Sequence, residues 1–357
     1  MTPDRVSAPA EPRRELVGLT GLRGIAALWV VACHWSGGEA GGLPGEIARH
    51  GYVAVDLFMV LSGFVLAMTS DPPATGYGGF LWRRVCRLYP LYLVATLVCF
   101  AEAWATGQGV FAPGSPDRPA AALLSNLLLT DTHLWEVDAI DGPSWVVSVE
   151  FTLNLGFPLF MLLCMRPGLR GCAVVAGLCG AALVAVSVLD RRWNGGVAGA
   201  LGTLDTRLLY LRCGPEFALG MLCWRFRRMG AWLAAPGPMA VLVLGMLAMT
   251  PFKALDLAFV AAGCLLVIGL AAGGRGVGRL LGGALPCGVG RISYGLYLWH
   301  IAYLPLRPAV AGLLAGWDAG WAEAGANAVG LAGVLWLSAL STRWLEAPAR
   351  AWLLRLG

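Results

Sequence analysis

Apolar residues run along the chain in ten long stretches separated by short polar connections. Each stretch approaches the roughly 20 residues that an α-helix needs to cross a membrane. We therefore predict an all-α protein, a polytopic membrane helix bundle of about ten transmembrane helices. The predicted spans are residues 16–36, 51–69, 88–106, 143–165, 170–189, 207–226, 232–250, 254–272, 289–306 and 324–345.

The remaining segments predict one membrane domain between two tails. Residues 1–15 mix Pro, Ala and both charge signs without periodicity, so we predict a disordered cytoplasmic tail. Residues 16–350 form the transmembrane domain and residues 351–357 a short cytoplasmic tail. Residues 120–130 are apolar but too short to cross, which suits a re-entrant or interfacial helix.

The composition supports a membrane location. Hydrophobic side chains make up 58% of the 357 residues and charged ones 13%, and the mean hydropathy is +0.69. This leaves too little polar surface for a soluble globule, which excludes a secreted disulfide module and a soluble dinucleotide-binding fold. The net charge of +5 does not indicate a nucleic-acid partner, because the arginines lie between apolar stretches and not in one basic block.

The basic residues also predict orientation. With the N-terminus inside, the inner connections hold most of the 26 Lys and Arg residues. We predict a multi-pass protein of the cell (inner) membrane, surrounded by membrane lipid, with both termini cytoplasmic. The ten cysteines match neither a disulfide framework nor zinc-ligand spacing, so we expect packing roles and no metal.

Charged groups inside hydrocarbon are costly, so each one needs a partner or a task. Arg23 and His34 are eleven positions apart, which places them on one helix face about 16 Å apart along the axis. Asp56 enters the second span at a depth similar to that of His34. A carboxylate beside an imidazole fixes its tautomer and supports its protonated form, as a general base requires. A snorkelling arginine, an interfacial histidine and a structural ion pair are the alternatives.

Further charged groups fall in later spans. Arg84 and Arg87 share a face at the inner end of the third span and offer forked donors suited to phosphates, with positive-inside anchoring as the alternative. Glu150 is expected about 10 Å below the outer surface. Arg212 and Glu216 are four residues apart on one helix, which predicts a structural pair. The ninth span runs from Arg291 at its inner end to His300 deep inside, while His50 and His133 stay unassigned.

Together these segments resemble the membrane acyltransferase-3 family, whose members move acyl groups, most often acetyl, onto sugars and related acceptors. The resemblance covers about residues 16–350 and depends on an ordered set of motifs. These are Leu22-Arg23-Gly24 with His34, Val55-Asp56-Leu57-Phe58, Leu61-Ser62-Gly63-Phe64, Arg84-x-x-Arg87-Leu-Tyr-Pro-x-Tyr92, Ser144-Trp145 with Ser148-Val149-Glu150, Glu216-Phe217-Ala218-Leu219-Gly220, Ile292-Ser293-Tyr294 with Tyr297-Leu298-Trp299-His300, and Glu346-x-Pro348.

The chain departs from the family pattern in three places. Thr20 stands where an aspartate often precedes Gly-Leu-Arg, and Met59 replaces a frequent Phe. Residues 151–154 replace the usual polar-aromatic stretch after Glu150, a change that bears on the acceptor pocket.

The resemblance implies an integral-membrane O-acyltransferase. Its donor would be an acyl-CoA, first of all acetyl-CoA, and its acceptor a sugar hydroxyl in a surface or exported polysaccharide. His34 would be the general base and Asp56 would orient it, with Glu150 or His300 as the competing base. Tyr294 or Ser148 would stabilise the oxyanion. The donor-binding candidates are Arg23, Arg84, Arg87 and Arg291.

Several alternatives stay open at this point. A transporter would use the intramembrane charges as a substrate or proton path, although the chain lacks matched halves with paired broken helices. A non-catalytic membrane scaffold would simply pair these charges with one another. For the enzyme, some relatives carry a fused extracytoplasmic hydrolase-like domain, whereas this chain continues only eleven residues past Glu346. We therefore expect either direct transfer or a separate extracytoplasmic partner protein, and an antibiotic or lipid acceptor is a further alternative.

Overall fold

The fold is helical throughout the described part of the chain. The computed structural model describes residues 16–36, 42–69, 76–113, 115, 118–132, 140, 142–202, 205–273, 275–314, 316 and 318–356, and contains no strand over these residues. The predicted tail 1–15 and His133 lie outside the described residues. The helices are α1 (Val17–Trp35), α2 (Gly42–Arg49), α3 (Ala54–Thr69), α4 (Gly76–Thr106), α5 (Pro119–Leu127), α6 (Trp145–Leu155), α7 (Phe157–Met165), α8 (Leu169–Asn194), α9 (Thr206–Phe226), α10 (Pro236–Met249), α11 (Asp256–Ala271), α12 (Val277–Leu281), α13 (Ala284–Arg291), α14 (Ser293–Trp299), α15 (Arg307–Leu313), α16 (Ala319–Ser341) and α17 (Ala347–Leu353).

Short helical turns connect several of these helices. A π-helical turn, Thr342–Glu346, joins α16 to α17. The 3₁₀ turns are His50–Val53, Gly109–Phe111, Ala231–Ala234, Lys253–Leu255 and Leu304–Leu306.

Six described helical segments are long and apolar enough to cross a membrane, or seven if the pair α6 and α7, bent by 66°, counts as one span. They match seven of the ten predicted stretches, so the predicted count of ten is not confirmed. The other three differ for local reasons. Helix α9 contains four charged residues, α10 has only 14 residues, and residues 289–306 break into α13, α14 and irregular turns. The predicted short element at 120–130 is the nine-residue helix α5.

Glycines allow the central helices to approach closely. A methyl group at Gly63 of α3 would lie 1.9 Å from the carbonyl oxygen of Phe217 on α9, and one at Gly220 would lie 2.0 Å from that of Val60. Small residues permit such backbone contact, which favours helix association in a membrane where apolar burial does not drive it. The close packing places Asp56, the charged residue of α3, directly against Arg212 of α9.

The C-terminal helix also packs against the bundle. Trp82 Nε1 on α4 donates a hydrogen bond to the carbonyl oxygen of Leu353 at 3.1 Å. Helix α17 extends into the predicted tail 351–357 as far as Leu353. The hydrogen bond from Trp82 holds this helix, and with it Arg350, next to α4.

Candidate active site

Two cavities with different chemistry lie along α1. The first, here the arginine cavity, has a volume of about 310 Å³. The second, the histidine cavity, has a volume of about 600 Å³. Both are within the usual size range of small-molecule sites. Arg23 lines the first, His34 lines the second, and Tyr297 lines both.

The arginine cavity brings together cations from three distant parts of the chain. Helix α1 supplies one, α4 supplies three and α17 supplies one, beside the carboxylate of Glu150 and the hydroxyl of Ser62 from α3. The five guanidinium groups belong to Arg23, Arg83, Arg84, Arg87 and Arg350.

The charges in this cavity are not balanced. Ser62 Oγ donates to Glu150 Oε1 at 3.2 Å, and Glu346 is near enough to interact electrostatically with Arg87. Two carboxylates therefore accompany five guanidinium groups. Arg84 Nε is buried and has no hydrogen-bond partner among the described residues. Forked donors with excess positive charge are suited to an anionic ligand, and phosphate is the anion whose geometry they match.

Two sequence predictions about this cavity need correction. Glu150 was expected near the outer surface with His34, but it faces the arginines because α6 directs that side chain toward the first cavity. Arg291 was expected to bind the donor, but it is exposed at the end of α13 and is not among the lining residues. Sequence reasoning missed Arg83 and Arg350. Arg83 could have been found because it is adjacent to the predicted donor residue Arg84. Arg350 had no such signal, because it lies after the last family motif, Glu346-x-Pro348.

The predicted pair of His34 and Asp56 does not form. His34 Nδ1 lies 2.9 Å from the carbonyl oxygen of Val30 and 3.2 Å from His300 Nε2. Asp56 instead accepts from Arg212, whose Nε and Nη2 lie 2.8 and 2.6 Å from Asp56 Oδ1. Helix α3 packs on α9, and this contact turns Asp56 away from the imidazole.

Asp56, Arg212 and Glu216 form what we call the sealed cluster because all three residues are buried, and Arg212 also borders the histidine cavity. Arg212 Nε is 3.8 Å from Glu216 Oε1, so the ion pair predicted from their spacing is present. None of the three residues is more than 1% exposed. A buried charge is tolerated when it is paired, and removal of one partner is costly. The geometry thus gives Asp56 a structural role between α3 and α9.

Polar groups line the rest of the histidine cavity. Asp131 accepts a hydrogen bond from Ser148, and the hydroxyls of Thr132 and Tyr210 lie 2.7 Å apart. Burial raises the pKa of the Asp131 carboxyl, and its Oδ2 is buried without a partner among the described residues. Trp145 adds an aromatic surface to the same wall. No local motif marks Asp131, so the sequence offered no signal for it.

The two hydroxyls that the sequence predicted as oxyanion donors already donate hydrogen bonds within the protein. Ser148 donates to Asp131, and Tyr294 donates to the carbonyl oxygen of Leu88 at 2.7 Å. Tyr297 OH likewise donates to the carbonyl oxygen of Pro143 at 2.7 Å. These contacts hold the wall between the cavities and leave Ser148 and Tyr294 without a second proton to donate.

A family model and one named relative indicate an acyltransferase. A family model described as an acyltransferase domain, of the acyltransferase-3 type, matches residues 16–343. The chain is 30% identical over 345 residues to the acyltransferase MdmB of Streptomyces mycarofaciens, covering 89% of this chain and 86% of that protein. It is 31% identical over 273 residues to the exopolysaccharide production protein ExoZ of Rhizobium meliloti (strain 1021), covering 70% and 75%. No solved structure matches the chain.

Proposed function

The chain belongs to the acyltransferase-3 family, and from this premise we propose that it carries an acyl group from acyl-CoA to a hydroxyl of a sugar in a surface or exported polysaccharide. Family membership makes the chain an acyltransferase and decides against the transporter and scaffold alternatives. The observation that carries the proposal is the pair of neighbouring cavities, one cationic and one containing His34, which share Tyr297 as a wall.

The arginine cavity is the proposed donor site. Coenzyme A carries phosphates, and the buried Arg84 Nε provides a donor without a partner among the described residues. Arg23, Arg83, Arg87 and Arg350 add positive charge around it. We propose acetyl-CoA as the donor and place this cavity on the cytoplasmic side of the cell membrane, where acyl-CoA is made. Both termini are then cytoplasmic, as the positive-inside pattern predicts.

The histidine cavity is the proposed acceptor site. Asp131 Oδ2, which has no partner among the described residues, can accept a hydrogen bond from a sugar hydroxyl, and Trp145 can pack against the sugar ring. The name of the relative ExoZ, an exopolysaccharide production protein, supports a polysaccharide acceptor.

The proposed reaction joins the two cavities past Tyr297. The acceptor hydroxyl oxygen attacks the thioester carbonyl carbon while His34 Nε2 takes the hydroxyl proton. The new C–O bond forms, the C–S bond breaks, and the imidazolium returns the proton to the departing thiolate of coenzyme A. Direct transfer of this kind needs no partner protein and consumes one donor for each ester formed.

The test uses the purified full chain in lipid nanodiscs with radiolabelled acetyl-CoA and a panel of oligosaccharides. We expect base-labile label on a sugar, a higher donor KM in Arg84→Ala, a higher acceptor KM in Asp131→Asn, and neither change in the exposed control Arg291→Ala. His34→Ala should lower kcat by about 10²- to 10⁴-fold. Absence of label on every acceptor would contradict the sugar acceptor, and normal turnover in His34→Ala would contradict the assigned base.

A further inference from the structure

Two histidines form a chain from α1 to the turn that follows α14. His34 Nδ1 lies 2.9 Å from the carbonyl oxygen of Val30 and 3.2 Å from His300 Nε2. His300 Nδ1 lies 2.7 Å from the carbonyl oxygen of Tyr297. The indole of Trp35 donates to the carbonyl oxygen of His300 at 3.0 Å, which holds the turn against α1. The His300 side chain is completely buried, whereas His34 is open to the histidine cavity.

Only one distribution of protons satisfies these contacts. A carbonyl oxygen can only accept, so His300 Nδ1 has to carry a proton toward Tyr297, and His34 Nδ1 has to carry one toward Val30. His300 Nε2 then keeps its lone pair and accepts from the same Nδ1–H of His34. The reverse tautomers would direct nitrogen lone pairs at two carbonyl oxygens. A doubly protonated His300 would turn its N–H against that of His34.

We infer that His300 is a positioning residue that fixes the tautomer of His34 and so makes Nε2 of His34 the proton-accepting atom. This inference rests on the proposed function, in which His34 is the general base. Among the described residues, no hydrogen bond uses His34 Nε2, so this nitrogen can meet a hydroxyl in the histidine cavity. The hydrogen bond at one ring nitrogen determines which nitrogen can act as base.

His300 thereby takes the place that the sequence predicted for Asp56. When His34 Nε2 gains the acceptor proton, the ring becomes an imidazolium and its Nδ1–H donates more strongly to the lone pair of His300. His300 neither gains nor loses a proton in this step. The proton leaves His34 from Nε2 when the thiolate of coenzyme A departs, and the starting tautomers are restored.

The kinetic test compares two replacements of His300. His300→Leu removes the acceptor, and we expect kcat to fall by about 10- to 100-fold, the range for partners that orient a metal-bound histidine, with an unchanged donor KM. His300→Gln keeps an oxygen near the position of Nε2 and should recover part of this loss. Trp299→Phe is the matched control, because it removes one buried hydrogen bond, to Ser341 Oγ, from the same turn without reaching His34.

A double substitution separates positioning from general damage to the fold. If His300 acts through His34, then His34→Ala/His300→Leu should turn over no more slowly than His34→Ala alone. An additional loss in the double variant would overturn the inference. Wild-type kcat in His300→Leu would also overturn it, as would a loss in Trp299→Phe as large as that in His300→Leu.

A spectroscopic measurement covers the case in which His300→Leu does not fold. The chain has four histidines, so ¹⁵N-histidine labelling in nanodiscs gives few ring signals, which the His34→Ala and His300→Gln variants assign. We expect protons on Nδ1 of both His34 and His300, and a proton on His34 Nε2 in the resting protein would overturn the inference. Normal turnover in His34→Ala would instead contradict the proposed function, and it is detected before any His300 variant is measured.

Discussion

The bundle contains two groups of charged side chains that are balanced in opposite ways. The sealed cluster places two carboxylates, Asp56 and Glu216, around the single guanidinium of Arg212, and none of the three is exposed. The arginine cavity places five guanidinium groups beside Glu150, with Glu346 nearby, and it is open to a ligand. Both groups combine arginine with carboxylate side chains in hydrophobic surroundings, so residue type alone does not distinguish them.

The difference in charge balance distinguishes a structural ion-pair cluster from an anion-binding site. In the sealed cluster Arg212 is in direct contact with Asp56 and lies 3.8 Å from Glu216. This pairing offsets the cost of burial and ties α3 to α9. In the arginine cavity the guanidinium groups outnumber the carboxylates, and the side chains surround an open volume. Excess positive charge around an open cavity indicates a place for an anion, and the same reasoning assigns Asp56 to the structure and Arg84 to the donor site.

The largest expected effect is the loss of the cation in the sealed cluster. Arg212→Met leaves two buried carboxylates facing each other, so we expect a loss of about 3–5 kcal/mol in the free energy of unfolding. Thermal and denaturant unfolding in detergent measures this. The triple variant Asp56→Leu/Arg212→Met/Glu216→Leu should recover most of the loss, because an apolar cluster leaves no charge without a partner. An Arg212→Met variant as stable as the wild type would contradict the structural role of the sealed cluster and its distinction from the arginine cavity.

Substitutions in the arginine cavity should weaken donor binding without changing the stability of the protein. For Arg84→Ala we expect the donor KM to rise by about 10- to 100-fold, the equivalent of one hydrogen bond between charged groups, with little change in kcat and in melting temperature. The phosphate contact is made in the ground state and in the transition state alike, so its loss raises KM alone. Arg291→Ala serves as the exposed control. A lower kcat at constant KM would contradict the phosphate-binding role.

Arg350 should show a smaller effect of the same kind. Its side chain is exposed, so water and salt screen its charge more than they screen that of Arg84. For Arg350→Ala we expect the donor KM to rise by about 2- to 5-fold, as for the loss of an exposed ion pair. The difference from wild type should shrink when donor KM is measured at higher ionic strength. An unchanged KM at low salt would place Arg350 outside the donor site.

The smallest effect is expected at an exposed pair. Hydrogen bonds from Arg207 lower the pKa of the Asp205 carboxyl, which also caps α9. The stabilisation is therefore present above the pKa of an unfolded Asp and is lost as pH falls through the lowered value. Arg207→Ala should cost on the order of 0.5 kcal/mol at neutral pH, and the difference in melting temperature should vanish in strong acid. A difference that grows toward acid would contradict this sign.

Much of the site could be predicted within single helices. The eleven-residue spacing predicted one helix face for Arg23 and His34, which line the two neighbouring cavities. The spacing of Arg84 and Arg87 predicted a shared face, and both line the arginine cavity. The pairing of Arg212 with Glu216 likewise followed from a four-residue separation. These predictions hold because helix periodicity determines which side chains share a face, whatever the helix packs against.

Contacts between helices could not be predicted in the same way. Asp56 pairs with Arg212, 156 residues away, and His34 meets His300, 266 residues away. The chain by itself determined an all-helical protein with long apolar helices, an acyltransferase family and an excess of arginine at one set of helix ends. Only the tertiary structure decided which carboxylate balances which cation and which group faces the imidazole. Those choices depend on helix contacts such as that of Gly63 with Phe217, whose close approach is set by packing and not by periodicity.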